Sequence, residues 1–302
     1  MNRREFLRQS LGRAAGLGLA SAGVLSTAGK VSPQGPAGPQ DPPLKKALIL
    51  HMLPKDLSLE DRFQLAKKVG FEGIEVPPVA DEQEIAALRS AAAKTGLKIH
   101  SIIYGGWHAP LSSADPKVIE KGLRGVENAL RSAKALGAEA VLLVPAVVNA
   151  QTRYRDAYDR SQKHLRTLAP LAEELGVIIA VENVWNYFLL SPLEFARYVD
   201  EFESPCVQAY FDVGNVVVYG WPQDWIRTLG SRIKKVHLKD FKGKLGKGSF
   251  VHLREGDVNW PEVRRALEEV GYTGFLTAEL RGGGEAYLRD LSSRIDLIIA
   301  GQ

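Results

Sequence analysis

The 302-residue sequence predicts a (β/α)8 barrel as its single large domain. Two observations carry that expectation. From Leu44 onward, eight short apolar runs alternate with longer amphipathic ones. The short runs are apolar on both faces, the pattern of a parallel sheet covered by helices. Eight such units in about 250 residues match a closed barrel. An open doubly wound sheet is the competing architecture. It usually carries a glycine-rich phosphate turn after its first strand, whereas here the first strand runs into His51-Met52-Leu53-Pro54.

In chain order, strands are expected at residues 47–52, 73–76, 98–103, 140–144, 177–181, 207–211, 233–238 and 274–278. Each is rich in Val, Ile, Leu or Ala and too short for a globular helix. Helix ends are legible between them. Ser58 caps a helix carrying Phe63, Ala66 and Val69 that stops at Gly70. Asp115-Pro116 and Ser191-Pro192 place a capping side chain before a proline at the first helical position, where a missing N–H costs nothing. Gly137, Gly176 and Gly271 stand where helices need a left-handed residue to close.

Residues 1–28 read as an address rather than structure. Arg3-Arg4-Glu5-Phe6-Leu7-Arg8 resembles a twin-arginine export signal, followed by a short apolar stretch and the small-x-small site Ser26-Thr27-Ala28. That stretch is too short and too rich in Gly and Ala for a permanent membrane anchor. The expectation is a periplasmic or secreted protein, exported folded by the twin-arginine machinery. Residues 29–43 hold five prolines and read as a linker, with the barrel occupying 44–302. The formal charge is +4, and residues 1–28 account for three of those charges. The near-neutral body argues against a nucleic-acid groove. Cys206 is the only cysteine, which excludes intrachain disulfides and multi-thiolate metal sites.

Four metal-compatible side chains occupy equivalent places in the last four units. Glu182 follows Ile-Ile-Ala-Val, Asp212 follows Gln-Ala-Tyr-Phe, His237 follows Ile-Lys-Lys-Val, and Glu279 follows Phe-Leu-Thr-Ala. A barrel opens the carboxyl ends of all its strands onto one face, so these four are expected to converge. A lone Glu at a strand end is commonly just solvated. Burying three carboxylates together without a cation costs several kcal/mol. Three carboxylates and one imidazole form a hard site suited to one Mn²⁺ or Mg²⁺, with Co²⁺ or Zn²⁺ as alternatives.

The segments Val-Glu-Asn-Val-Trp-Asn (181–186), Phe-Asp-Val-Gly-Asn (211–215), Val-His-Leu-Lys-Asp (236–240), Glu-Gly-Asp-Val-Asn-Trp (255–260) and Thr-Ala-Glu (277–279) resemble the xylose-isomerase-like barrel superfamily. They are most similar to its sugar-phosphate isomerases and epimerases of the ketose 3-epimerase and hexulose-phosphate isomerase type. The resemblance implies one metal on Glu182, Asp212, His237 and Glu279, with Glu182 and Glu279 as the acid/base pair. It also implies a sugar or sugar derivative as substrate. Related epimerases often carry a His three residues after the metal Asp; here that place is Asn215, which can hydrogen-bond a hydroxyl but cannot move a proton. Six histidines in the whole chain are too few for the three-zinc nucleases of the superfamily. Three functions stay open: a metal-dependent isomerase or epimerase, a lyase or dehydratase acting on keto-sugars or oxidised glycosides, and a non-catalytic carbohydrate-binding barrel.

Further substrate contacts are expected from Asn215, from His108 and Trp107 after the third strand, from Glu75 at the end of the second, and from Lys239 and Arg254 as anion contacts. Trp185 is expected to join Trp107 as an apolar wall. Lys242, Lys244 and Lys247, interspersed with glycines, read as a solvated loop. A homo-oligomer stays open.

Overall fold

The computed structural model describes residues 44–244 and 246–302, and the leader and linker expectations fall on residues 1–43, outside the described residues. Seven parallel strands, β1 (Lys45–Ile49), β2 (Gly73–Val76), β3 (Lys98–Gly105), β4 (Ala140–Leu143), β5 (Ile178–Glu182), β6 (Val207–Asp212) and β7 (Ile233–Leu238), are followed later in the chain by the eighth barrel strand, β10 (Phe275–Ala278). They close in the order β1-β10-β7-β6-β5-β4-β3-β2. Between the seventh and eighth barrel strands lies a small antiparallel hairpin, β8 (Asp240–Lys242) and β9 (Ser249–Val251). Of the lysines read as a solvated loop, all three are exposed, but Lys242 belongs to β8, and Lys244 and Lys247 lie between the two strands. Phe241 pairs with Phe250, and Lys242 with Ser249, across the hairpin.

The helices are α1 (Leu59–Lys68), α2 (Glu82–Thr95), α3 (Pro116–Leu136), α4 (Tyr154–Leu175), α5 (Pro192–Asp200), α6 (Pro222–Leu229), α7 (Trp260–Glu269) and α8 (Glu285–Ile299). Their starts follow the capping logic. Ser58 accepts from the Asp61 N–H, Asp115 from Lys117 and Ser191 from Glu194, and proline opens α3 and α5. Gly137 and Gly176 end α3 and α4 at φ 71° and 67°, in the left-handed region where a Cβ is costly. Among the described residues, no helix is long and apolar enough to cross a membrane.

The first strand departs from expectation. It ends at Ile49, and Leu50–Met52 form a 3₁₀ turn whose Leu50 carbonyl accepts the Leu53 N–H. The apolar run continues past the strand because Met52 and Leu53 are buried as part of the core beneath that turn. The fully buried Phe63 of α1, Phe195 of α5 and Ile295 of α8 belong to the same core. Each such side chain contributes about 1.5–3 kcal/mol by leaving water.

Inside the ring, Ala140, Leu142 and Ala180 pack around the buried ring of Tyr210. The small residues of β4 and β5 leave the space that this tyrosine fills. Toward the amino ends of the strands, the buried Lys235 ammonium sits 2.6 Å from Glu139. Above it, His100 stacks on Phe275 at 4.4 Å and contacts the Thr277 hydroxyl at 3.2 Å.

Candidate active site

Strand register brings the four strand-end residues together. Asp212 and His237 are direct partners in the β6–β7 ladder. Glu182 pairs with Tyr210 across β5–β6, one pleat below Asp212. Glu279 follows β10, and its N–H donates to the Leu238 carbonyl at 3.2 Å. One ligand-type atom from each of the four lies within 4.8 Å of the others, and Glu182, Asp212 and His237 are buried.

The imidazole is held from both sides. His237 Nδ1 faces Glu182 Oε1 at 3.1 Å and Glu279 Oε2 at 2.7 Å. Its Nε2 meets Glu75 Oε2 at 2.8 Å. The other oxygen of Glu75 accepts from the Tyr210 hydroxyl at 3.1 Å. Glu75 is fully buried with both oxygens engaged, so it is not the hydroxyl contact at the mouth that its strand-end position suggests. It lies beneath the cluster as an acceptor for Nε2–H, which turns Nδ1 toward Glu182 and Glu279. This is the arrangement that orients metal-binding histidines.

Lys239 also enters the cluster. Its ammonium lies 3.2 Å from Asp212 Oδ2 and 2.8 Å from Glu279 Oε2. Burial works against its charge, but Asp212, Glu279 and Glu182 outweigh that and hold it charged above the usual lysine range. Burial pushes Glu182 up to about 7, against the hydrogen bond from His237. Burial also acts on Glu279, yet the charges of His237 and Lys239 overcome it and hold this carboxyl well below the usual range. Without a cation, the two carboxylates of this site are thus driven in opposite directions.

The donor set fits a divalent cation. Asp212 Oδ2 and Glu279 Oε2 are buried in the cluster, where the Lys239 ammonium faces both and His237 faces Glu279. Opposed ligands on Mg²⁺ or Mn²⁺ stand about 4 Å apart at bond lengths near 2.1 Å, close to the span observed here. Glu182, Asp212, His237 and Glu279 would hold the ion.

Asparagines staple this region. Asn183 accepts from the Asp212 N–H at 2.8 Å and donates to the Asp212 carbonyl at 2.9 Å. The Asn215 N–H donates to Asp212 Oδ1 at 2.7 Å, and its amide donates to the Asn183 carbonyl at 3.0 Å. Asn215 therefore orients the Asp212 carboxylate, and its side-chain amide is already engaged.

Asp240 was legible only as part of a motif, and the structure gives it a role. Its Oδ1 accepts from the N–H groups of Phe241 and Val258. Its Oδ2 accepts from the Arg254 and Gly256 N–H groups and from Trp260 Nε1. The segment 254–260 is folded around this one carboxylate. Arg254 contributes its backbone, at φ 69°, while its side chain is exposed and does not line the cavity at Glu279. Its expected anion contact is replaced by this turn.

That cavity measures about 570 Å³ and is lined by His51, Lys239, Phe250, His252, Glu279 and Tyr287 among others. Trp185 stands beside it. Its ring stacks on Phe250 at 5.0 Å, and its Nε1 donates to the Asn215 carbonyl at 2.9 Å. Trp107 and His108 are exposed on the loop after β3, where His108 packs edge-on to Tyr104 at 5.9 Å, and neither lines this cavity. His51, Phe250 and Tyr287 escaped the sequence reading because each sits in a loop, a hairpin or a helix start, with no strand end to mark it.

Comparison with known proteins agrees with this architecture. The model of the xylose isomerase-like TIM barrel family matches residues 63–296. The L-ribulose-5-phosphate 3-epimerase UlaE of Salmonella typhi is 28% identical over 235 residues, covering 73% of this chain and 81% of that protein. Among solved structures, D-allulose 3-epimerase from Methylomonas sp. in complex with D-allulose superposes with a TM-score of 0.72 at 18% identity, covering 86% of this chain and 98% of that one. The apo form of 3-keto-D-glucoside 4-epimerase, YcjR, from E. coli gives 0.70 at 14% identity, covering 85% and 99%. At these identities the structural matches establish the fold.

Proposed function

We propose, from the premise that this chain belongs to the xylose isomerase-like TIM barrel family, that it is a metal-dependent sugar isomerase or epimerase working by carboxylate proton transfer. The observation that carries the reading is the convergence of Glu182, Asp212, His237 and Glu279 within 4.8 Å at the carboxyl ends of four barrel strands. The naming of UlaE as an epimerase supports the reaction class.

Glu279, held ionised by His237 and Lys239, takes the proton from the carbon beside the sugar carbonyl. The bonding pair moves toward the carbonyl oxygen, giving an enediolate. Glu182, buried in the same cluster, delivers a proton to the carbon from its carboxylic acid form. Return to the same carbon from the opposite face inverts it. Return to the neighbouring carbon interconverts aldose and ketose. A divalent cation, when bound, adds positive charge that stabilises the developing oxyanion. Glu75 keeps the His237 ring in place through Nε2.

Free ketoses such as D-fructose and L-ribulose, incubated with the Mn²⁺-loaded protein in heavy water, should take up deuterium beside the carbonyl and yield an epimer or aldose. Glu182→Gln and Glu279→Gln should each slow turnover by ~10²–10⁴-fold. Near-wild-type turnover in both variants would refute the two-carboxylate mechanism. Loss of a substituent beta to the carbonyl, with no epimer, would make the protein a lyase. Export is a separate proposal resting on residues 1–28. Fractionation of a twin-arginine-competent host should find the protein in the periplasm, and Arg3→Lys with Arg4→Lys should leave it in the cytoplasm.

A further inference from the structure

We infer that the cavity beside the carboxylate cluster contains a second, aromatic subsite, and that the ligand it accepts is a glycoside whose second ring packs on Phe250 and Tyr287. This inference rests on the proposed function for what occupies the carboxylate end, but binding tests it without turnover.

The first observation is size. At the ~30 Å³ that a water molecule occupies in the liquid, a cavity of about 570 Å³ has room for roughly nineteen water-sized groups. A free hexose has twelve non-hydrogen atoms. A sugar seated at Glu279 therefore leaves room for about seven more, enough for a phenyl ring, while a second sugar would reach past the open mouth.

The second observation is how the aromatic side chains of the lining are held. Phe250 is 44% exposed on the hairpin strand β9, yet its ring is backed by Trp185 at 5.0 Å and Phe241 at 5.4 Å. Trp185 is itself fixed by its hydrogen bond to the Asn215 carbonyl. Tyr287 is stacked on His252 at 4.8 Å with the rings 17° apart, and His252 is held by Asp290 at 2.9 Å. Gly283 lets the Tyr287 ring approach, since a Cβ there would stand 2.7 Å from it. Two pre-ordered aromatic rings thus line one cavity. Rings fixed in advance lose little entropy on binding, and a flat ring face is what sugars and phenols pack against.

The third observation is distance. One ammonium, Lys239 Nζ, stands 2.8 Å from the Glu279 carboxylate and 5.6 Å from the centroid of the Phe250 ring. The aromatic face is thus within reach of a group carried by a sugar bound at the carboxylates.

A phosphate at the far end is the competing occupant. Of the lining cationic groups, Lys239 is already engaged by Asp212 and Glu279, and His252 by Asp290. That leaves His51 and Arg281. Burial holds His51 below the ordinary imidazole range, which favours its neutral form. A single guanidinium is a thin site for a dianion.

The test is calorimetric binding to the full-length protein of methyl β-D-glucopyranoside, phenyl β-D-glucopyranoside, cellobiose and inorganic phosphate. Phenyl glucoside, cellobiose or both should bind about ten-fold or more tighter than methyl glucoside, as burial of one apolar ring face requires. Which of the two leads identifies a phenolic or a sugar second ring. Phe250→Ala and Tyr287→Ala should each shrink that advantage while methyl glucoside binds as before. Phe250→Leu, which keeps apolar area but not the flat face, should shrink it in part. Equal binding of all three glycosides, or an advantage untouched by both alanine variants, would overturn the subsite. Phosphate binding tighter than any glycoside and lost in Arg281→Ala would replace it with an anion site.

Discussion

Replacing Asp240 by Asn tests whether the β7–α7 connection hangs on one carboxylate. The two oxygens of Asp240 accept five N–H groups, two on Oδ1 and three on Oδ2. An asparagine retains one oxygen, so whichever way its amide turns, at least two donors face an NH₂ group. A buried donor without an acceptor costs ~1–3 kcal/mol. The variant should therefore lose roughly 2–6 kcal/mol, moderated where a donor finds water. At the ~2–4 °C per kcal/mol typical of a domain of this size, the melting temperature should fall by about 5–20 °C. Urea unfolding and differential scanning calorimetry measure the loss. Hydrogen exchange should show it concentrated in residues 240–260, with the rest of the barrel protected. Because the hairpin carries Phe250, turnover should suffer more in KM than in kcat. A loss below about 1 kcal/mol, or uniform deprotection across the barrel, would refute the assignment of Asp240 as the anchor of that segment.

Glu75→Gln should weaken Mn²⁺ binding by ~10–100-fold by calorimetry, because the acceptor that fixes the His237 tautomer loses its charge; unchanged affinity would return Glu75 to a packing role. His237→Ala should weaken binding further, and equal affinity in wild type and variant would remove His237 from the site. Adding Mn²⁺ at about a hundred times its dissociation constant should stabilise the chelated protein by ~2.7 kcal/mol, visible as a rise in melting temperature that His237→Ala lacks. Burial, reinforced by the charges of Lys235, His237 and Lys98, holds His100 well below the ordinary imidazole range. The unfolded chain takes up that proton below about pH 6.5 while the folded chain does not, so stability present above that pH is lost on acidification at up to ~1.4 kcal/mol per unit. His100→Asn should flatten the fall in melting temperature between pH 6.5 and 5, and an equal slope in both proteins would show that His100 does not drive it.

Much of the barrel is visible in the residues because a buried parallel strand has a one-dimensional signature. The strands at 178–182, 207–212, 233–238 and 275–278 are buried on both faces, and the four clustered side chains lie at or just past their carboxyl ends. The places where reading and structure part are those set by three-dimensional neighbours. The apolar run through Met52 looks like strand, yet the chain turns at Leu50 to bury Met52 and Leu53. Glu75 ends its strand as Glu182 does, but Tyr210 and His237 cross the barrel to meet it. The lysine- and glycine-rich stretch after β8 is hydrophilic enough to be a free loop, and only the Phe241–Phe250 pairing reveals the hairpin. Asn215 stands where an acid/base histidine was sought and supports Asp212 instead.

The four clustered side chains all come from the later half of the chain, whereas the group that holds the imidazole, Glu75, comes from the second strand. Severing the chain between β4 and β5 would therefore part the imidazole from its anchor. A carboxy-terminal fragment would own every donor atom yet lack the carboxylate that aims His237. On mixing with the amino-terminal fragment, recovery of tight cation binding would report that the ring had shut. The orientation of one side chain becomes a built-in gauge of whether the two halves of the barrel have found each other.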